Sequence, residues 1–166
     1  MTNDYSALFR HYISLTKEFS FKDMLEKSTE YTLEVFDRLS EEKGNYRYDE
    51  GKWTIAQLLS HVVDTERIMA YRAIRFARQD KTQLEGFDEN LYVQHSGADK
   101  RTIDSLVTEF KALRNSTKLL YESFTDEMLP FYGSLDQQGL TVEKIGRMIA
   151  GHSMHHCNVL MERYGI

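Results

Sequence analysis

The sequence has 166 residues, 41% hydrophobic and 28% charged, so it is expected to fold as one globular domain over residues 1–166 with its own core. That composition excludes global disorder, and no apolar run approaches the roughly 20 residues that span a bilayer, so no membrane partner is expected. The net charge of −5 has the wrong sign for a dedicated nucleic-acid binder, and the single cysteine, Cys157, allows neither an internal disulfide nor a cysteine-based zinc finger.

The N-terminal stretch MTNDYSALFRHY lacks the basic and apolar regions of a secretory leader, so a cytoplasmic location is expected. Pro130 is the only proline. Proline removes a backbone N–H and clashes with the preceding turn, so its scarcity suits a chain of long helices.

Residues 1–19 are expected to add a short helix through Tyr5, Leu8, Phe9, Tyr12 and Ile13. Apolar residues at alternating three- and four-residue spacing predict four longer helices. The first runs from about Phe21 to Leu39 and has Ser28 and Thr32 at inward positions in its middle. The second begins at Thr54, where Thr54-Ile55-Ala56-Gln57 reads as a capping box, and continues to about Arg78. The third steps through Ile103, Leu106, Phe110, Leu113, Thr117, Leu120 and Phe124. The fourth starts at the N-cap Thr141, passes Val142, Ile145, Ile149, His152, His156 and Val159, and stops near Tyr164-Gly165. The implied architecture is an all-α antiparallel four-helix bundle. Its connections Gln79–Arg101 and Thr125–Leu140 are long enough to cross the bundle or cover one end.

The inward stripe of the fourth helix holds His152 and His156, about 40° apart around the axis and about 6 Å apart along it. Imidazoles so placed can chelate a divalent cation at about 2.0–2.1 Å. Buried without a partner, they leave polar nitrogens unsatisfied. His61, on the stripe Leu58, His61, Thr65, Ile68 of the second helix, is a third candidate ligand. Three imidazoles would leave coordination positions open, as in catalytic rather than structural sites. The same spacing also suits hydrogen-bonded core histidines or a surface pair. The run His152-Ser153-Met154-His155-His156 lacks the glutamate of H-E-x-x-H, which excludes a zincin helix, and no G-x-S-x-G, P-loop or G-x-G-x-x-G is present.

Asp64 and Glu66 lie near His61, where either could orient an imidazole by accepting from its second N–H, or could pair on the helix surface. If water were the nucleophile, Glu66 or a loop carboxylate would serve as base. Arg67, Arg72, Arg75, Arg78 and Lys81 make the end of the second helix basic. They form a solvated face, or Arg72, on the stripe of His61, receives an anionic substrate group. Cys157, about 100° around the helix from His156, reads as a packed or partly exposed thiol. The loop Gly86–Tyr92 mixes aromatics and carboxylates as a pocket lid would.

Three stretches resemble the DinB-like (DNA-damage-inducible, YfiT-like) superfamily of metal-binding four-helix bundles. They are Trp53 to His61 continuing through Asp64-Thr65-Glu66-Arg67 and Tyr71-Arg72, then Glu109 to Arg114, and Leu140-Thr141-Val142 with Gly151 to His156 and Glu162-Arg163-Tyr164. The resemblance implies the same bundle, with His61, His152 and His156 as ligands to zinc, nickel or iron. His155 fits the family's paired-histidine pattern but sits off the stripe, so it is read, like Asp64, as a supporting residue or an interface residue. A homodimer acting on a small-molecule substrate is also implied. Some members look like S-transferases that pair the metal with bacillithiol, mycothiol or glutathione. The expected function is therefore a metal-dependent low-molecular-weight-thiol S-transferase. The alternatives are a metal-dependent hydrolase or a non-catalytic, metal-stabilised stress-response module.

Overall fold

In the computed structural model, which describes residues 5–135 and 138–166, the chain forms six α-helices and one β-hairpin. The helices are α1 (Tyr5–Ser14), α2 (Met24–Phe36), α3 (Ile55–Ala77), α4 (Glu89–His95), α5 (Ile103–Glu122) and α6 (Val142–Tyr164). Strands β1 (Tyr132–Leu135) and β2 (Gln138–Thr141) pair antiparallel, with Tyr132 opposite Thr141.

Side chains fix the helix starts. Thr54 Oγ1 accepts from the N–H of Gln57 at 3.1 Å, and Gln57 Oε1 accepts from the N–H of Thr54 at 2.9 Å, completing the expected capping box. The Thr102 and Thr141 hydroxyls cap α5 and α6 by accepting from the backbone N–H groups of Ser105 and Lys144. At the far end of α6, Gly165 takes the left-handed conformation (φ +67°) that ends a helix at little steric cost.

Helices α2, α3, α5 and α6 make the bundle. Paired contacts set their directions. Met24 and Thr32 of α2 meet Gly146 and Ser153 of α6, so these two run parallel. Glu66 and Arg67 of α3 meet Arg114 and Glu109 of α5, and Gln57 meets Asp99 just before α5, so these two also run parallel. The two pairs oppose each other: Phe36 of α2 packs on Phe110 of α5, while Glu26 pairs with Lys118. The connection from α3 to α5 must therefore return the length of the bundle, about 33 Å, which is why it is long. It carries α4, capped by Asp88, and packs against α3.

The hairpin lies in the connection read from sequence as Thr125–Leu140, of which residues 136 and 137 lie outside the described residues. Four-residue strands are too short to show a period, so the all-α reading passed over them. Gly133 seats the hairpin on the end of α3, where any Cβ would fall inside the ring of Phe76. Residues 1–4 of the expected N-terminal helix also lie outside the described residues. No described helix is long and apolar enough to cross a membrane.

The core has two apolar clusters. One gathers Val35, Phe36, Leu58, Leu59, Leu106, Phe110 and Leu160; the other gathers Met24, Met69, Phe76, Tyr121, Ile145 and Ile149. Between them lies a buried polar layer of Ser28, Thr32, His61, Thr65, Glu66, Arg114, His152, Ser153 and His156. Ser28 and Thr32, which break the apolar stripe of α2, belong to this layer. On α5 the buried stripe runs through Ile103, Leu106, Phe110, Arg114, Thr117 and Tyr121, whereas Leu113 and Leu120, expected inside, are only partly buried. A charged residue on the stripe shifted its reading by one position.

Candidate metal centre

His61 sits in the second turn of α3, and His152 and His156 lie one turn apart on the facing side of α6. Because α3 and α6 run antiparallel, the three side chains reach one point in the polar layer. The Nε2 atoms of His61 and His152 are 3.0 Å apart, and those of His156 and His152 are 3.1 Å apart. All three residues are buried, at 4%, 6% and 9% exposure. Among the described residues they are the only group of three or more histidine, cysteine or carboxylate side chains that could hold a metal ion.

Hydrogen bonding alone does not satisfy this cluster. A ring nitrogen offers one proton or one lone pair, yet His152 Nε2 faces two neighbours. His156 Nδ1 is also buried and has no partner. Three nitrogens at 2.0–2.1 Å from a tetrahedral ion would stand about 3.4 Å apart. The observed 3.0 and 3.1 Å are close to that spacing. The donor set fits a divalent transition metal.

Burial keeps these imidazoles uncharged. It holds His61 down to about 4 and pushes His152 and His156 well below the usual histidine value, with the neighbouring imidazoles adding to the shift. Neutral rings keep the lone pairs that coordination needs. Aromatic rings hold them in place: Trp53 lies 4.7 Å from His61, and the Tyr12 ring stands edge-on to His152 at 5.2 Å. Tyr12 arrives on α1, which presses its backbone against Gly151, where a Cβ would collide with the Tyr12 carbonyl.

Glu66 is no free base. Both its oxygens accept from Arg114 at 2.8–3.0 Å, and the two side chains are 2% and 1% exposed. Arg114 also donates to Ser28 and Ser153, tying α2, α3, α5 and α6 together beside His152. Asp64 is half-buried, 3.7 Å from Arg67, and bonds to no imidazole. His155 is not one of the three converging imidazoles, but its ring stands 5.1 Å from that of His156 and its Nδ1 meets His11 of α1 at 3.2 Å. Arg72 is buried, donates to the Glu85 carbonyl at 2.8 Å and lies over the Phe87 ring, so it braces the loop before α4. It stands about 16 Å along the helix from His61. Cys157 is fully buried, its thiol pushed up to about 12 by burial.

Two cavities approach the histidines, one lined by Glu89 and the other by Asn90 of α4. The smaller, about 30 Å³, touches His152 and is lined by Tyr12, Thr65, Glu66, Phe87 and Glu89. The hydroxyl of Thr65 is buried there without a partner. The larger, about 270 Å³, touches His156 and is lined by Tyr48, Lys52, Trp53 and Asn90 among others. The segment Gly86–Tyr92 thus contributes to both walls, in the place a lid would occupy. Sequence reading missed Tyr12 and Arg114. The available signals were an arginine four residues after Phe110, on an apolar stripe, and a glycine beside His152.

No curated protein matches this chain. Among solved structures it is similar to YfiT from Bacillus subtilis, described as a probable metal-dependent hydrolase with an unusual four-helix bundle topology. The two share 17% identity over 87% of this chain and 86% of that one, with a TM-score of 0.74, so the likeness is one of fold. The family model of the DinB superfamily matches residues 24–160. With the bundle, the polar layer and the sequence match in agreement, the chain belongs to the DinB superfamily.

Proposed function

We propose that this protein is a cytoplasmic, divalent-metal-dependent enzyme in which His61, His152 and His156 hold zinc, nickel or iron and leave positions open for a reactant. The observation that carries this reading is the convergence of three buried, uncharged imidazoles with no carboxylate among them. When bound, such an ion lowers the pKa of a thiol or water beside it, supplying a nucleophile near neutral pH. Trp53 and Tyr12 hold the His61 and His152 rings in position, and the Arg114–Glu66 pair fixes the layer on which they stand.

The nucleophile we favour is a low-molecular-weight thiol. Its sulfur needs no protein base once its proton is acidified, and Glu66 is engaged by Arg114. One observation favours a hydrolase instead: Glu89, whose carboxyl burial raises, lines the cavity against His152, where it could take a proton from water. YfiT, similar in fold, carries the hydrolase description.

Two measurements test the reading. Elemental analysis of untagged protein should find about one equivalent of transition metal, lost in His152→Ala. Absence of metal from the parent protein, with none taken up on titration, would overturn it. In cobalt-loaded protein, bacillithiol or glutathione should produce a sulfur-to-metal charge-transfer band. A spectrum indifferent to thiols but sensitive to Glu89→Gln would select the hydrolase.

A further inference from the structure

The two cavities beside the histidines differ in size and in charge. The 30 Å³ cavity on the His152 side has room for a water or two. The 270 Å³ cavity on the His156 side approaches the size of a small-molecule site. Glu66 and Glu89 line the first, and no basic side chain other than His152 does. Lys52 lines the second, and no carboxylate does. Asp49 and Glu50 precede Lys52 in sequence but are not in that wall, and among the described residues no carboxylate pairs with its ammonium group. The remaining walls are aromatic, from Tyr48, Trp53 and Tyr164, with the Asn90 amide on the α4 side. The Tyr164 hydroxyl donates to the Trp53 carbonyl at 2.7 Å and fixes that wall.

The donor set favours an anion as well. Three neutral imidazoles do not compensate a divalent ion, so the site would carry its full positive charge toward whichever cavity a ligand occupies. Arg72, the anion receiver suggested by sequence, is bonded to the Glu85 carbonyl and lies in neither wall.

We propose that the cavity between His156, Trp53 and Lys52 is the substrate pocket of this centre, and that it selects a small organic anion: a carboxylate on an aromatic or apolar body. The small cavity on the His152 side, where Glu89 is the carboxylate not held by Arg114, is left for water. The choice of substrate class rests on the metal-enzyme reading, but the test does not. Trp53 is the only tryptophan and lines the pocket, so its fluorescence reports occupancy with or without metal.

The experiment titrates metal-free and zinc-loaded protein with phenylacetate, benzyl alcohol and benzylamine, three probes that share a ring and differ in charge. In metal-free protein phenylacetate should bind about threefold more tightly than benzyl alcohol, the value of one exposed charge pair, and benzylamine should bind most weakly. Zinc should widen the preference to about tenfold or more, as a buried charge adds to that of Lys52. Lys52→Glu, a change at an exposed residue, should reverse the order of phenylacetate and benzylamine in metal-free protein. Equal binding of all three probes, or a preference that Lys52→Glu leaves intact, overturns the proposal. Anion preference in a protein that takes up no metal would overturn the enzyme reading and leave the pocket assignment standing.

Discussion

Arg114 closes on both carboxylate oxygens of Glu66, at 2.8–3.0 Å, in the plane that divides the apolar core in two. Neither side chain reaches solvent. Taking two charges out of water is costly, and the cost is met here by their mutual attraction and by the hydroxyls of Ser28, Thr29 and Ser153 around the guanidinium. Removing one partner strands the other. Arg114→Ala should therefore destabilise the fold by about 3–5 kcal/mol in urea denaturation, and Glu66→Ala by a similar amount. The double change Glu66→Leu/Arg114→Met should cost less than either alone. A loss under about 1 kcal/mol from Arg114→Ala would show that the pair does not hold the layer together.

The buried imidazoles make the metal-free protein sensitive to acid. Histidine in an unfolded chain titrates near 6.5, whereas His61 in the fold is held down to about 4 by burial. Between those values the unfolded chain binds a proton that the fold refuses. The histidine contribution is therefore level above about pH 6.5 and falls as the pH drops toward 4, by about 3 kcal/mol for His61 alone. His152 and His156 shift in the same direction and steepen the fall. Denaturation midpoints in EDTA at a series of pH values check this, and a flat profile from pH 7 to 4.5 would contradict it.

Gly151 admits α1 to the surface of α6. A methyl group there would meet the carbonyl of Tyr12, which is backbone and cannot rotate away. Gly151→Ala should displace α1, uncover His152 and cost about 1–3 kcal/mol despite the better helix propensity of alanine. Faster hydrogen exchange confined to α1, with the α2–α6 bundle protected as before, is the expected readout. Unchanged exchange in α1 would refute the packing argument.

Cys157 is enclosed by the core, beside Leu160 and Val35, and its thiol is pushed up to about 12 by burial. A thiol in that state carries almost no thiolate at neutral pH. Native protein should not react with a disulfide reagent over the time in which denatured protein is fully labelled. Rapid labelling of the native state would place the thiol at the surface and exclude the packing described for α6.

The helix starts at Thr54 and Thr141 were legible because a cap is a local event: the accepting side chain and its donor lie three residues apart. The histidine spacing on α6 was legible for the same reason. The role of Arg114 was hidden, since an arginine on an apolar stripe reads as an interruption until its partner, 48 residues earlier in the chain, is brought opposite. Glu66 and Asp64 were plausible near the site by their closeness to His61 in sequence, Arg72 by its stripe and His155 by a family pattern. Glu66, His155 and Arg72 took partners on other segments once the helices packed, while Asp64 lies beside Arg67 of its own helix.

The chain's local chemistry thus determined where α3 and α6 begin, that four long amphipathic helices form and which imidazoles of α6 share a face. Only the tertiary structure decided that two helix pairs run parallel within and antiparallel between. That arrangement brings His61 and His152, 91 residues apart, to 3.0 Å and places cavities of different size and lining against His152 and His156. The reason is physical. A cap or a stripe is set by the 3.6-residue period of one helix, whereas a metal centre and its pocket depend on the relative direction of several helices, which only their packing settles.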